Sequence, residues 1–205
     1  MLSLGALVAR MICASRPTRS RKGASLSGAI TGASAEPSAA RERRVGIVIG
    51  LVFVVCAARI FGLVAEHGVN LMVMDQFDFY VPLFDEGYGA IAKLRFQFQD
   101  SPHRMGAGWA VIEVVARASS WDTRADSFSI AGAMIAGCGL ALWLSWRLHG
   151  ALSAWDACIP LLALTLKQFA TFVGTPDIAL AALPFLLLVA TGLALTVVDV
   201  RLRLA

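Results

Sequence analysis

The feature that most constrains the fold is an apolar run long enough to cross a lipid bilayer. Residues 45–65 read VGIVIGLVFVVCAARIFGLVA, in which Arg59 is the one charged residue. A helix needs about 20 mostly apolar residues to cross about 30 Å of hydrocarbon. Similar runs follow at residues 128–148, 155–173 and 178–198. The pattern predicts an all-α, polytopic transmembrane protein with about four spans.

Composition supports this interpretation over a soluble fold. The 205 residues are 58% hydrophobic and 16% charged, with a mean hydropathy of +0.70. Soluble domains are about half apolar and about a quarter charged. The excess of apolar residues is concentrated in the four runs, so we expect the lipid bilayer to be the main partner.

The basic residues indicate an orientation. Residues 1–44 are rich in Ser, Ala, Gly and Arg and predict a flexible basic arm, followed by a membrane domain at residues 45–205. Cations beside the first span favour the cytoplasmic side, and an even number of spans returns the chain there. We therefore expect a multi-pass protein of the cell membrane with both termini in the cytoplasm. The net charge of +4 belongs to this flank, and nothing predicts nucleic-acid binding.

The long polar segment at residues 66–126 then becomes an outer loop. Residues 105–119 are too short to cross a membrane and predict an interfacial helix, with Glu113 and Arg117 spaced to pair and Trp109 near the headgroups. Residues 85–98 fit a second helix or a short strand. Asp126 or Ser127 is the expected cap of the second span, and Pro184 is an expected kink in the fourth.

Two acids just after the first span form the first candidate site. Asp75 and Asp78 could take a proton from an acceptor hydroxyl or bind a divalent cation at the membrane surface. The alternative is that they are ordinary solvated loop residues. No complete set of metal ligands is predicted.

Basic residues form the second and third candidates. His103 and Arg104 could bind a phosphate, or could simply anchor a helix at the headgroups. Arg59 and Lys167 lie within spans, where ionisable residues are costly and often functional. They could line a pocket for a lipid phosphate, or their long side chains could extend to the headgroups.

Two loop motifs carry a family resemblance. The stretches MDQFDFYVPLF and FQDSPHRMGAGWAVIEVVARASSWDTR, within residues 45–200, resemble the amino-terminal part of bacterial GT-C-type glycosyltransferases. The resemblance implies sugar transfer from a polyprenyl-phosphate donor outside the membrane, with Asp75 or Asp78 as the catalytic base or a metal ligand.

GT-C enzymes have many more spans than four. We therefore expect a truncated copy, or a split half that needs a second membrane chain to complete its active site. The alternatives are a noncatalytic multi-pass subunit or remnant, and a small transporter half.

Overall fold

The computed structural model describes residues 35–71, 76–85, 89, 91–92, 95, 106–173 and 177–204. Pro37–Ala205 form one compact unit, and Met1–Glu36 form another, of which the described part is Ala35 and Glu36. Within the described residues, every regular element is helical. The predicted all-helical class is therefore confirmed for this part of the chain.

The first helix, α1, covers Ala35–His67 and so begins ten residues before the predicted span. Its first residues include Ala, Glu and Arg, which are strong helix formers, and Pro37 is tolerated because the first turn has no internal N–H partners. The helix ends where the N–H of Gly68 donates to the carbonyl of Val64 at 2.8 Å.

Two short helices follow, α2 at Gln76–Phe84 and α3 at Gly106–Ala118. The second lies within the segment expected to be helical, and it starts at Gly106, whose φ is +48°. The predicted ion pair is confirmed, with Arg117 Nη2 3.0 Å from Glu113 Oε1. Most of residues 85–98, where a helix or strand was expected, lies outside the described residues.

Helix α4, Thr123–His149, begins five residues before the predicted span. Its cap is Asp122, whose Oδ1 accepts the N–H of Arg124 at 3.0 Å, so the prediction of Asp126 or Ser127 as cap was wrong. The apolar run starts only at Phe128, whereas the first helical turn is polar and cannot be recognised by hydropathy. Gly150, at φ +78°, closes the helix by donating to Trp146.

The third apolar run is a chain of short pieces and not one helix. A 3₁₀ turn at Ala154–Ala157 leads into α5, Cys158–Ala163. A second 3₁₀ turn, Leu166–Gln168, leads into α6, Phe169–Val173. The break falls where Thr165 turns to extended backbone geometry. There Gln168 Nε2 donates to the carbonyl of Leu162 at 3.3 Å, which supplies a partner to backbone freed by the break.

The last apolar run starts with a π-helix, Ile178–Ala182, and continues as α7, Leu183–Leu204. The N–H of Leu183 donates to the carbonyl of Ile178, five residues earlier. Pro184 has no N–H, so the regular α pattern cannot pass through this point. The irregularity expected at Pro184 thus takes the form of the wider turn just before it.

Contacts between the long helices give their directions. Phe61 of α1 stacks on Phe128 near the start of α4, with ring centroids 6.2 Å apart, and Phe53 lies beside Gly139 further along. These two helices are antiparallel.

Helices α4 and α7 run parallel to each other. A Cβ on Gly137 of α4 would lie 2.7 Å from Cδ1 of Phe185 of α7. Seven residues further along both helices, a Cβ on Gly192 would lie 3.2 Å from Cδ2 of Leu144. The chain between them must therefore return from the carboxyl end of α4 towards its amino end.

Three helical segments within the described residues are long and apolar enough to cross a membrane: Ala39–His67, Thr123–His149 and Ile178–Thr196. Between 22% and 39% of each apolar segment is buried inside the protein. Most of their surface is thus free to contact lipid or further helices.

Candidate functional site

The structure places three of the six predicted site residues on three separate elements. Asp78 is exposed on α2, Arg59 is exposed on α1, and Lys167 is exposed in the 3₁₀ turn that breaks the third apolar run. Neither cationic side chain forms a hydrogen bond or ion pair within the part of the chain that the structure describes. The other three, Asp75, His103 and Arg104, lie outside the described residues.

The helix that carries Asp78 is fixed to a membrane-length helix by a buried hydrogen bond. The hydroxyl of Tyr80 on α2 donates to Oδ2 of Asp126, in the first turn of α4. The side chains are 2% and 1% exposed, respectively. A buried polar group of this kind is costly unless it is hydrogen-bonded, so the pair holds α2 in one position.

Aromatic side chains enclose this hydrogen bond. Trp121 lies edge-on to Tyr80 at 6.3 Å and is stacked on Phe84 at 4.9 Å. Trp109 of α3 is 1% exposed, and its Nε1 donates to the carbonyl of Phe79 at 3.2 Å. The expectation that Trp109 meets the headgroups was therefore wrong, because its ring fills the space between α2 and α3.

The end of α1 is joined to the start of α4 at the same place. Thr123 Oγ1 donates to the carbonyl of Val69 at 3.0 Å, and the N–H of Thr123 donates to Asn70 Oδ1 at 3.0 Å. Beside them, Arg124 donates to Asp122 at 2.7 Å and holds the pKa of that carboxyl below its ordinary value. The amino end of α4 is thus where α1, α2 and α3 meet.

A further carboxyl group lies at this end. Asp177 directly precedes the π-helix, and burial raises its pKa to about 6. The π-helix packs closely on α3, since a Cβ on Gly108 would lie 2.4 Å from Cα of Ala179. A carboxyl group with a pKa near 6 can exchange a proton close to neutral pH.

No set of ligands among the described residues supports the divalent cation that the sequence left as a possibility. Within the residues that the structure describes, no three His, Cys, Asp or Glu side chains are grouped so that they could hold a metal ion. Asp78 itself is an exposed carboxylate on this short helix.

Sequence reasoning missed Asp126 and Asp177 as parts of this site. Asp126 shares a helical face with Ile130 and Met134, all buried and spaced by four residues. That spacing was the available signal that the aspartate points inward. Asp177 offered no comparable signal, because its burial depends on how distant helices pack.

Comparison with known proteins matches this chain to no family model, no curated protein and no solved structure.

Proposed function

We propose that the protein corresponds to the amino-terminal part of a GT-C-type glycosyltransferase and transfers a sugar from a polyprenyl-phosphate donor at the outer face of the cell membrane. The observation that carries the proposal is that Asp78 is exposed on a helix tied to the start of a membrane span by the Tyr80–Asp126 hydrogen bond. A base must be held in a fixed position to act on a bound hydroxyl.

The topology we propose has four crossings, the third of them discontinuous. Parallel α4 and α7 require a return path between them, and Ser145 Oγ of α4 donates to Asp156 Oδ1 at 2.5 Å where that path begins. The path ends at Ile178, at the end of the bundle where the π-helix packs on α3. Broken helices are tolerated at membrane depth where protein covers their backbone.

The basic arm before the first span supports an orientation with both termini cytoplasmic. The loop helices then face outward, together with Asp177. Single cysteines in a cysteine-free chain would test this with an impermeant maleimide on intact cells. Labelling at Asp85 but not at Ser153 supports the orientation, and the reverse pattern overturns it.

In the proposed reaction, an acceptor hydroxyl oxygen bonds to the anomeric carbon of the donor. The bond from that carbon to the phosphate oxygen breaks, and the lipid phosphate leaves with the bonding electrons. The carboxylate of Asp78, or of Asp75, takes the hydroxyl proton. Arg104, with Lys167 or Arg59, neutralises the leaving phosphate, and His103 donates a hydrogen bond to it.

The direct test is sugar transfer from a labelled polyprenyl-phosphate sugar in membranes containing this chain, alone and with a second membrane chain supplied. Asp78→Asn should lower transfer by about 10²–10⁴-fold if it removes the base. Asp85→Asn, at an exposed position just beyond the same helix, is the matched control and should leave transfer unchanged. Equal rates for the two variants would remove Asp78 from the mechanism.

The two cations are tested separately. Arg59→Leu and Lys167→Leu should each weaken binding of a polyprenyl phosphate, since each removes a positive charge from the proposed phosphate site. Unchanged binding in both variants would contradict a phosphate site at Arg59 and Lys167. The two side chains would then simply extend to the headgroups.

A second candidate, a noncatalytic membrane subunit, is favoured by a specific surface. Gly46 and Gly50 of α1 lie one turn apart, and a Cβ on either would have no atom within 4 Å. Glycines at this spacing let two membrane helices approach closely. Gly50→Leu should then break association with a second membrane chain, measured by energy transfer in bilayers. Gly132→Leu, at another open position, should not.

A further inference from the structure

One face of α2 is apolar and largely exposed in the part of the chain that the structure describes, although Phe84 also stacks on Trp121. Phe77, Val81 and Phe84 are 60%, 45% and 64% exposed. At 3.6 residues per turn, these three side chains fall within an arc of about 60°. We name them the α2 stripe. Exposed apolar side chains that line up on one helical face mark a surface that contacts something apolar.

The rest of the helix is divided between protein and polar groups. Phe79 and Pro82 are buried on the side of the helix away from the α2 stripe, and Tyr80 is buried along one flank of it. Asp78 and Asp85 are exposed about a quarter turn from it. An apolar face, a polar face beside it and a buried face behind it are the arrangement of a helix held against a membrane surface.

The depth of the α2 stripe is fixed by contacts already described. Tyr80 lies between its members and donates to Asp126, two residues before the apolar run that starts at Phe128. Thr123 bonds to Val69 at the same level. The helix therefore lies at the boundary where the apolar surfaces of α1 and α4 end. That surface continues in exposed Leu71, which follows α1.

From this placement we propose that the α2 stripe inserts into the bilayer at the amino end of α4, so that α2 is the interfacial helix of the loop. The loop segment expected from sequence to have this role, now α3, buries Trp109 and Ile112 in the protein instead. The occupant of the face is lipid, because the stripe continues the lipid-contacting surface of the spans at their boundary. This inference needs the spans to be in a membrane but does not need sugar transfer.

The test uses electron paramagnetic resonance to measure how readily two collision reagents reach each position. Oxygen concentrates in the lipid, and a nickel chelate stays in water. Nitroxide labels are placed singly at positions 77, 81 and 84, with 78 and 85 as matched controls, in a chain whose native cysteines are replaced. The protein is reconstituted in phosphatidylcholine–phosphatidylglycerol vesicles. The ratio of oxygen to nickel-chelate accessibility should be several times higher at the three stripe positions than at the two acidic ones.

Two results would overturn the proposal. Nickel accessibility that exceeds oxygen accessibility at the stripe positions would place the α2 stripe in water. Exclusion of both colliders would show that protein, such as a second copy of this chain, covers it.

A second measurement does not depend on the cysteine-free chain. A benzophenone amino acid at position 77, 81 or 84 in the native-cysteine chain should form lipid adducts on irradiation, detected by mass spectrometry, and at position 78 or 85 it should form few. Adducts to polypeptide in place of lipid at the stripe positions would contradict the proposal.

Discussion

Tyr80 and Asp126 form a buried hydrogen bond between residues that are 46 positions apart in the chain. Tyr80 belongs to a nine-residue helix in the long polar segment, and Asp126 to the first turn of a membrane-length helix. A nine-residue helix is too short to be stable by itself in water. The contact with α4 and the surrounding aromatic rings therefore determine where α2, and with it Asp78, is held.

Removing the Tyr80 hydroxyl should destabilise the protein. In Tyr80→Phe the ring can keep its packing against Trp121 while the buried carboxyl of Asp126 loses a donor. The expected loss is about 1–3 kcal/mol, the usual contribution of a hydrogen bond to a carboxylate. The measurement is the free energy of unfolding in mixed detergent micelles.

Thr191→Val is the matched control, because the hydroxyl of Thr191 is exposed and bonds only within its own helix, to Leu187. It should change the free energy of unfolding by less than about 0.5 kcal/mol. If Tyr80→Phe were as stable as this control, the hydrogen bond would not be what holds α2 in place.

The sequence was sufficient for features that depend on local pattern. The apolar run at residues 45–65 lies inside α1, and the spacing of Glu113 and Arg117 led directly to their ion pair. Hydropathy and helical periodicity act over a few turns, so a single sequence records them.

Features that depend on distant parts of the chain were not recoverable. No Gly or Pro at position 165 signals the break in the third apolar run. The hydrogen-bond partner of Asp126 lies in another helix. Trp109 looked like a headgroup anchor because its composition suits an interface as well as a core. Only the packing of α3 on α2 decides between the two environments.

Close packing of α3 on the π-helix gives a second prediction. A Cβ on Gly108 would lie 2.4 Å from both Cα and Cβ of Ala179. Gly108→Ala must therefore push backbone apart, and we expect a loss of about 1–3 kcal/mol, as for other overpacked positions. The unfolding free energy in micelles is again the measurement.

Gly132→Ala provides the comparison, because a Cβ there would have no atom within 4 Å and the residue lies inside α4. It should leave stability unchanged or raise it by up to about 1 kcal/mol, the gain in helix propensity. Equal effects of the two substitutions would mean that α3 does not rest on the π-helix.

The opposite end of α4 gives a third prediction, about the start of the return path. Asp156 Oδ1 accepts from Ser145 Oγ at 2.5 Å, and Oδ2 accepts from the backbone N–H of Ser153 at 2.7 Å. Asp156→Ala should lower the free energy of unfolding in micelles by about 1 kcal/mol at neutral pH. Ser129→Ala, which removes a hydroxyl bonded only within α4, should lose less. If Asp156→Ala lost no more stability than Ser129→Ala, Asp156 would not anchor the return path.

This cost should shrink in acid. Burial alone would raise the pKa of Asp156, but the hydrogen bonds from Ser145 and Ser153 outweigh it and lower that pKa below 3.8. A lowered pKa gives stability that is present above the ordinary value and is lost as the pH falls through the folded value. The difference between Asp156→Ala and the native chain should thus be largest at neutral pH and smallest below pH 3.8.

Asp177 should show the opposite pH dependence, since burial raises its pKa from 3.8 to about 6. The folded protein binds the proton more tightly than the unfolded chain, so this contribution to stability is complete below pH 3.8 and is lost as the pH rises through about 6. The asparagine in Asp177→Asn cannot ionise, so the variant should not lose stability as the pH rises through about 6. It should therefore be more stable than the native chain at neutral pH but not at low pH. Unfolding midpoints at closely spaced pH values measure this, with Asp156→Asn as the control of opposite sign. An Asp177→Asn curve parallel to the native one across this window would mean that the carboxyl is as solvated in the folded protein as in the unfolded chain.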